Sequence, residues 1–233
     1  MTDILVQILI AAIPAIIAIT LHEAAHGYAA LALGDDTARR MGRLSLNPLR
    51  HVDRVGTLLL PGVLLLGQLL TLGRVVFLFG WAKPVPVSAW RFADPRRGMM
   101  IVAAAGPAMN FFLAWLGALA MHGTSALPDL PAEVIETMLT FFILANLVLG
   151  LFNLLPIPPL DGGRIVVGLL PERAAMAWAK LEGAGILIVL LLVFLMPRVL
   201  AEVGVTFDPV GRALNTVLPW SFGVIYRLAG HAV

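Results

Sequence analysis

The stretch ILVQILIAAIPAIIAITLHEAAHGYAALAL, residues 4–33, decides the fold class. It is apolar over a length well beyond the ~20 residues a helix needs to cross a bilayer. Three ionisable residues interrupt it, His22, Glu23 and His26. Placing charge at membrane depth costs at least ~2.5 kcal/mol per charged residue, so the trio demands a function. At 3.6 residues per turn, positions i and i+4 share one helical face. Two imidazoles in that register reach one tetrahedral Zn²⁺ at ~2.0–2.1 Å. Glu23, beside the first imidazole, is the base such a site needs to deprotonate water.

The rest of the chain agrees with a membrane protein. Of 233 residues, 60% are hydrophobic and only 13% charged, against about 25% charged in an average soluble domain. That leaves too little polar surface for a water-facing globule. The net charge of +2 comes from Arg clustered between apolar segments. This is the positive-inside pattern, not a nucleic-acid surface. With no cysteine, thiolate ligands and disulfides are excluded, and a metal must be held by His, Asp or Glu. Met1-Thr2-Asp3 lacks a basic n-region, so a cleaved signal is not expected.

Further apolar stretches run over 55–72, 99–121, 134–155 and 184–196. The expected fold is an all-α polytopic membrane protein with about 4–6 transmembrane helices. Residues 1–233 read as one domain, its core about 1–170 and its C-terminal helices about 176–233. The loop 34–54 carries five Arg, the segment 80–98 carries Lys83, Arg91, Arg96 and Arg97, and 161–180 carries Arg164, Arg173 and Lys180. The loop 122–133 carries no Lys or Arg. All three basic segments share one side only if 55–72 is re-entrant, and Pro61-Gly62 is the expected break. VVFLFGWAKPVPV, residues 75–87, is expected to be extended or strand-like. With the broken segment before it, it is a candidate to receive an unwound substrate by strand addition.

Two His leave a catalytic zinc one protein ligand short. Asp161 is the candidate third ligand, in NLLPIPPLDGG, residues 153–163, which closes the fourth apolar stretch. Prolines end that helix, and Gly162-Gly163 permit unusual backbone angles. An Asp-Gly pair is more often an ordinary turn; an incomplete two-His site tips the balance. Among the amides, Asn153 is an even choice between helix packing and a substrate role, Asn110 a weaker one, and Asn146 reads as packing. His51, His122 and His231 read as solvated.

HEAAH in a first apolar helix and NLLPIPPLDGG closing a later one resemble the two signature motifs of the site-2 protease family of intramembrane zinc metalloproteases. FGWAKPVPV (79–87) and GPAMN (106–110) resemble further segments of its compact prokaryotic members. The resemblance covers roughly residues 15–170. It implies that His22, His26 and Asp161 bind Zn²⁺, that Glu23 activates water, and that Asn153 lies near the substrate or the developing oxyanion. A transmembrane protein or peptide substrate in regulated intramembrane proteolysis follows, in a prokaryotic plasma membrane, with the active site toward the cytoplasm. No PDZ-like or nucleotide-binding domain is expected. The competing reading is a metal-handling or metal-transporting membrane protein, since intramembrane His and Asp also mark ion pathways.

Overall fold

The computed structural model describes residues 2–73 and 80–232. The apolar stretch that opens the chain forms one helix, α1 (Thr2–Ala32). A π-helical turn at Arg54–Leu59 runs directly into α2 (Leu60–Leu72). Then follow α3 (Pro95–Met121), α4 (Asp129–Asn153) and α5 (Asp161–Leu169). A helical run α6 (Glu172–Glu202) and α7 (Pro209–Leu228) complete the chain. Among the described residues, four helical runs are long and apolar enough to cross a membrane: Arg54–Thr71, Pro95–Ala126, Asp129–Asn153 and Glu172–Glu202. No strand occurs among the described residues. The protein is an all-α, multi-pass membrane protein.

Helix α3 is the centre of the bundle and packs against α1, α4 and α5. Its buried residues include Ala103, Gly106, Asn110, Ala114, Gly117 and Ala118, a stripe at helical spacing. Small side chains let neighbouring backbones approach closely, which drives packing where lipid removes the hydrophobic incentive. Ala114 and Ala118 meet Ile143 and Leu147 of α4 and Ile225 and Ala229 at the end of the chain.

The expected break at Pro61-Gly62 is absent. Pro61 falls in the first α-helical turn after the π-turn, where its missing N–H is tolerated. The one-sided grouping of the basic segments nevertheless holds for the first two. By Trp81 the chain is back at the start of this helix, where the Trp81 N–H donates to the Gly56 carbonyl at 3.1 Å. Arg43 donates to the Lys83 carbonyl at 3.0 Å, and Arg91 pairs with Asp36 at 2.6 Å. Arg96 and Arg164 line one cavity, which brings the third segment to the same end.

Of the stretch expected to be strand-like, residues 75–79 lie outside the described residues. Residues 80–88 are non-helical and form a strap across α1. Lys83 N–H donates to the His51 carbonyl at 2.8 Å, and Ser88 N–H to Asp35 Oδ2 at 2.6 Å. The His residues read as solvated are engaged instead. His51 is buried against the Ser45 carbonyl. His122 and His231 stack with ring centroids 4.0 Å apart, each bonded to a backbone carbonyl of the other's segment.

Candidate metal centre

His22 and His26 lie one turn apart on α1, as their spacing dictates, and their rings pack edge-on with centroids 4.6 Å apart. Asp161 reaches them from the first turn of α5. Its Oδ2 lies 3.2 Å from His22 Nε2 and 3.4 Å from His26 Nε2, and the two Nε2 atoms are 3.1 Å apart. His22 and Asp161 are buried, and His26 nearly so. A carboxylate at a helix N-terminus is favoured by the helix dipole. Residues 139 positions apart in sequence thus meet at one point.

The turn that delivers Asp161 depends on two glycines for a reason other than the one expected. Neither has a positive φ. Both are already helical, and both are buried against backbone. A Cβ on Gly162 would overlap the Leu154 and Leu155 carbonyls, and one on Gly163 would lie 2.6 Å from Pro158 N. Close approach, not unusual backbone angles, requires glycine here. The Pro158-Pro159 peptide is cis.

Hydrogen bonds fix what the cluster can bind. His26 Nδ1 lies 2.7 Å from the Val102 carbonyl, which can only accept. His22 Nδ1 lies 2.6 Å from Asn110 Oδ1. The orientation of that amide is set by a relay: Asn110 Nδ2 donates to Asn146 Oδ1 at 2.9 Å, and Asn146 Nδ2 donates to the Phe142 carbonyl at 2.9 Å. The backbone carbonyl at its end turns both amides, so His22 presents an Nδ1–H to Asn110. In the neutral form that binds a metal, each imidazole therefore carries its proton on Nδ1 and aims an Nε2 lone pair at Asp161. Asp161 Oδ2 is buried with no hydrogen-bond donor.

In that form three acceptors converge, an arrangement that is costly unless a cation fills it. Four ligands at ~2.0–2.1 Å around tetrahedral zinc stand about 3.3 Å apart. The observed 3.1–3.4 Å separations are the edges of such a tetrahedron. Zinc fits, and the partners on each Nδ1 are the outer contacts that metal-ligating His ordinarily has.

The other predicted residues separate. Glu23 is half-buried, and its Oε2 accepts from the Val85 N–H at 3.2 Å. Asn110 is fully buried behind His22, its amide committed to His22, Asn146 and the Ala18 carbonyl. Its amide is thus taken up at the back of His22. Asn153 bonds its own helix at the Leu149 carbonyl and does not join the cluster. Gly106 sets how closely α3 approaches the two imidazoles. A Cβ there would lie 2.5 Å from His26 Nε2 and 2.6 Å from His22 Cε1. Both rings lie against its bare backbone.

The buried cluster of His22, His26 and Asp161 is one that could hold a metal ion in a membrane protein. Comparison with known proteins makes the class specific. The model of peptidase family M50 matches residues 121–196. The chain is 40% identical over 187 residues to "Putative zinc metalloprotease YwhC" of Bacillus subtilis, covering 78% of each chain. It is 31% identical over 216 residues to Rip2 of Mycobacterium tuberculosis, which bears the same zinc-metalloprotease designation, covering 91% of this chain and 70% of that one. Rip2 of Mycolicibacterium smegmatis is 34% identical over 180 residues, covering 76% and 64%. No solved structure matches. The chain belongs to peptidase family M50, the site-2 proteases, and is a zinc metalloprotease.

Proposed function

We propose that this protease hydrolyses peptide bonds in membrane-spanning segments of other proteins, with His22, His26 and Asp161 as zinc ligands and Glu23 as general base. The observation that carries this reading is the buried convergence of three acceptor atoms from α1 and α5. His22 lies ten residues before the end of α1, about 15 Å along the helix axis. A centre at that depth serves a substrate that is itself within the bilayer.

Zinc, when bound, polarises the scissile carbonyl and lowers the pKa of water toward ~7. His22 and His26, locked by Asn110 and Val102, hold their lone pairs in place without rearrangement. Glu23 takes a proton from the attacking water through its free oxygen and returns it to the departing amine nitrogen. Asn153, half-buried and bonded through Nδ2 to the Leu149 carbonyl, is the remaining amide candidate for the developing oxyanion. The gathering of the three basic segments at one end supports a cytoplasmic position for that end, and with it an active site toward the cytoplasm. Regulated intramembrane proteolysis is the process this arrangement suits. A substrate helix must unwind to expose its peptide bond. We assign the stretch 75–87, of which 75–79 lie outside the described residues, to receive it by strand addition.

The test is cleavage of a model transmembrane substrate by purified protein alongside metal analysis. Glu23→Gln keeps zinc and loses turnover; Asp161→Ala loses both. Proline substitutions within 75–80 abolish cleavage and spare zinc. A Glu23→Gln protein that still cleaves would overturn the assignment of the base.

A further inference from the structure

The strap formed by residues 80–88 does more than close the end of the bundle. Its N–H groups at Trp81, Lys83 and Val85 all turn inward, to the Gly56 carbonyl, the His51 carbonyl and Glu23 Oε2. The first two bonds tie the strap to the π-helical turn and to the segment just before it. The third is different in kind, because its acceptor is the side chain beside a metal ligand. Pro84 and Pro86 carry no N–H, so within 84–86 the Val85 amide is the sole donor. The Val85 side chain is buried, 8% exposed, and packs on Gly27, one helical turn beyond Glu23. A Cβ on Gly27 would stand 3.1 Å from Val85 Cγ1. The strap is thus seated on α1 at two points one turn apart, by an apolar contact at Gly27 and by a hydrogen bond at Glu23. Ser88 N–H, anchored at 2.6 Å on buried Asp35, fixes its far end.

We infer that the Val85 backbone amide is a positioning group for Glu23: it holds Oε2 and leaves Oε1 as the oxygen that exchanges protons with water and leaving group. The inference rests on the reading of Glu23 as general base. A glutamate has three side-chain torsions, and proton transfer requires its reactive oxygen within hydrogen-bond reach of the water. Tethering one oxygen to a backbone group removes the rotations that carry the other away. The flanking prolines stiffen the segment that bears the tether.

Val85→Pro deletes the N–H within an already proline-rich extended run. Val85→Ala keeps the N–H and trims the side chain. In the full-length, zinc-loaded protein, Val85→Pro lowers kcat by about 10- to 100-fold, the scale of a misplaced reactive group, with KM and zinc content unchanged. Val85→Ala keeps the tether and loosens only the seat on Gly27, so its kcat falls severalfold less than that of Val85→Pro. Equal kcat for Val85→Pro and Val85→Ala overturns the inference.

Hydrogen exchange tests the tether without a strap variant, and Pro84 and Pro86 isolate the Val85 amide in any peptide covering 84–86. Its exchange accelerates about fivefold in Glu23→Ala, the worth of one hydrogen bond, while the Lys83 amide is unchanged. Unchanged Val85 exchange overturns the tether even if Val85→Pro fails to fold. If Glu23→Gln proves active, the base assignment has failed. If Glu23→Gln is inactive and Val85→Pro is normal, only the positioning role has failed.

Discussion

Replacing Gly106 by alanine tests the metal centre without altering any of its three candidate ligands. The new methyl would sit 2.5 Å from His26 Cε1 and Nε2 and 2.6 Å from His22 Cε1, where ordinary contact begins near 3.4 Å. The shortfall is about 0.9 Å against two rings at once. Neither ring can pivot freely, because His22 Nδ1 is held by Asn110 at 2.6 Å and His26 Nδ1 by Val102 at 2.7 Å, both on the same helix as Gly106. Relief must come from breaking those bonds or from moving α3 away from α1. Metal–ligand distances tolerate only about ±0.2 Å, and disturbing the outer contacts of ligating His typically costs 10- to 100-fold in metal affinity. Overpacking adds a destabilisation of about 1–3 kcal/mol. Helix propensity alone would act oppositely, since alanine exceeds glycine by roughly 0.8–1 kcal/mol in a helix. The assay is zinc affinity by competition with a chelator, with thermal unfolding of metal-free protein alongside. The expected result is at least a tenfold loss of affinity and no gain in apo stability. Wild-type affinity with raised apo stability would refute the reasoning.

Other predictions follow from the same geometry. Asn110→Leu leaves His22 Nδ1 unpartnered and lowers zinc affinity by about 10- to 100-fold; Asn146→Leu, one step further along the relay, has a smaller effect in the same direction, both read by chelator competition. Gly162→Ala forces its methyl against the Leu154 and Leu155 carbonyls, so zinc content falls although no ligand is altered. Glu23→Gln lowers kcat by about 10²–10⁴-fold with zinc retained, measured on a model transmembrane substrate. Burial would push the Asp35 carboxyl up, but hydrogen bonds from Ser88 N–H and Thr37 together with Arg91 outweigh it and hold Asp35 below its ordinary 3.8. A lowered folded-state value stabilises fully above the ordinary value and is lost as pH falls through the lowered one. Thermal unfolding of wild type should therefore weaken below about pH 4, and Asp35→Asn should flatten that loss.

That His22 and His26 share one buried face was legible in the sequence for a simple reason. Charge within an apolar stretch is expensive, and i,i+4 spacing puts His22 and His26 on one face whatever surrounds them. Asp161 was legible only as the piece an incomplete site lacked, since a lone Asp-Gly reads equally as a turn. Direction was not legible. Nothing in an apolar helix tells whether Asn110 faces substrate or the back of His22; a relay ending at the Phe142 carbonyl decides it. The glycines misled in a similar way. Gly162 and Gly163 suggested unusual angles, yet serve close approach, because composition reports a missing Cβ and not what would meet it. Pro61 suggested a break that a preceding π-turn absorbs. The seating of Val85 over Glu23 joins residues 62 positions apart and has no local signal beyond the alternating prolines.

The most direct measurement is the zinc content and affinity of purified wild type against Asp161→Ala. Stoichiometric zinc in the wild type, with loss of both zinc and cleavage in Asp161→Ala, is the predicted result. Undiminished zinc affinity in Asp161→Ala would contradict a centre built from His22, His26 and Asp161.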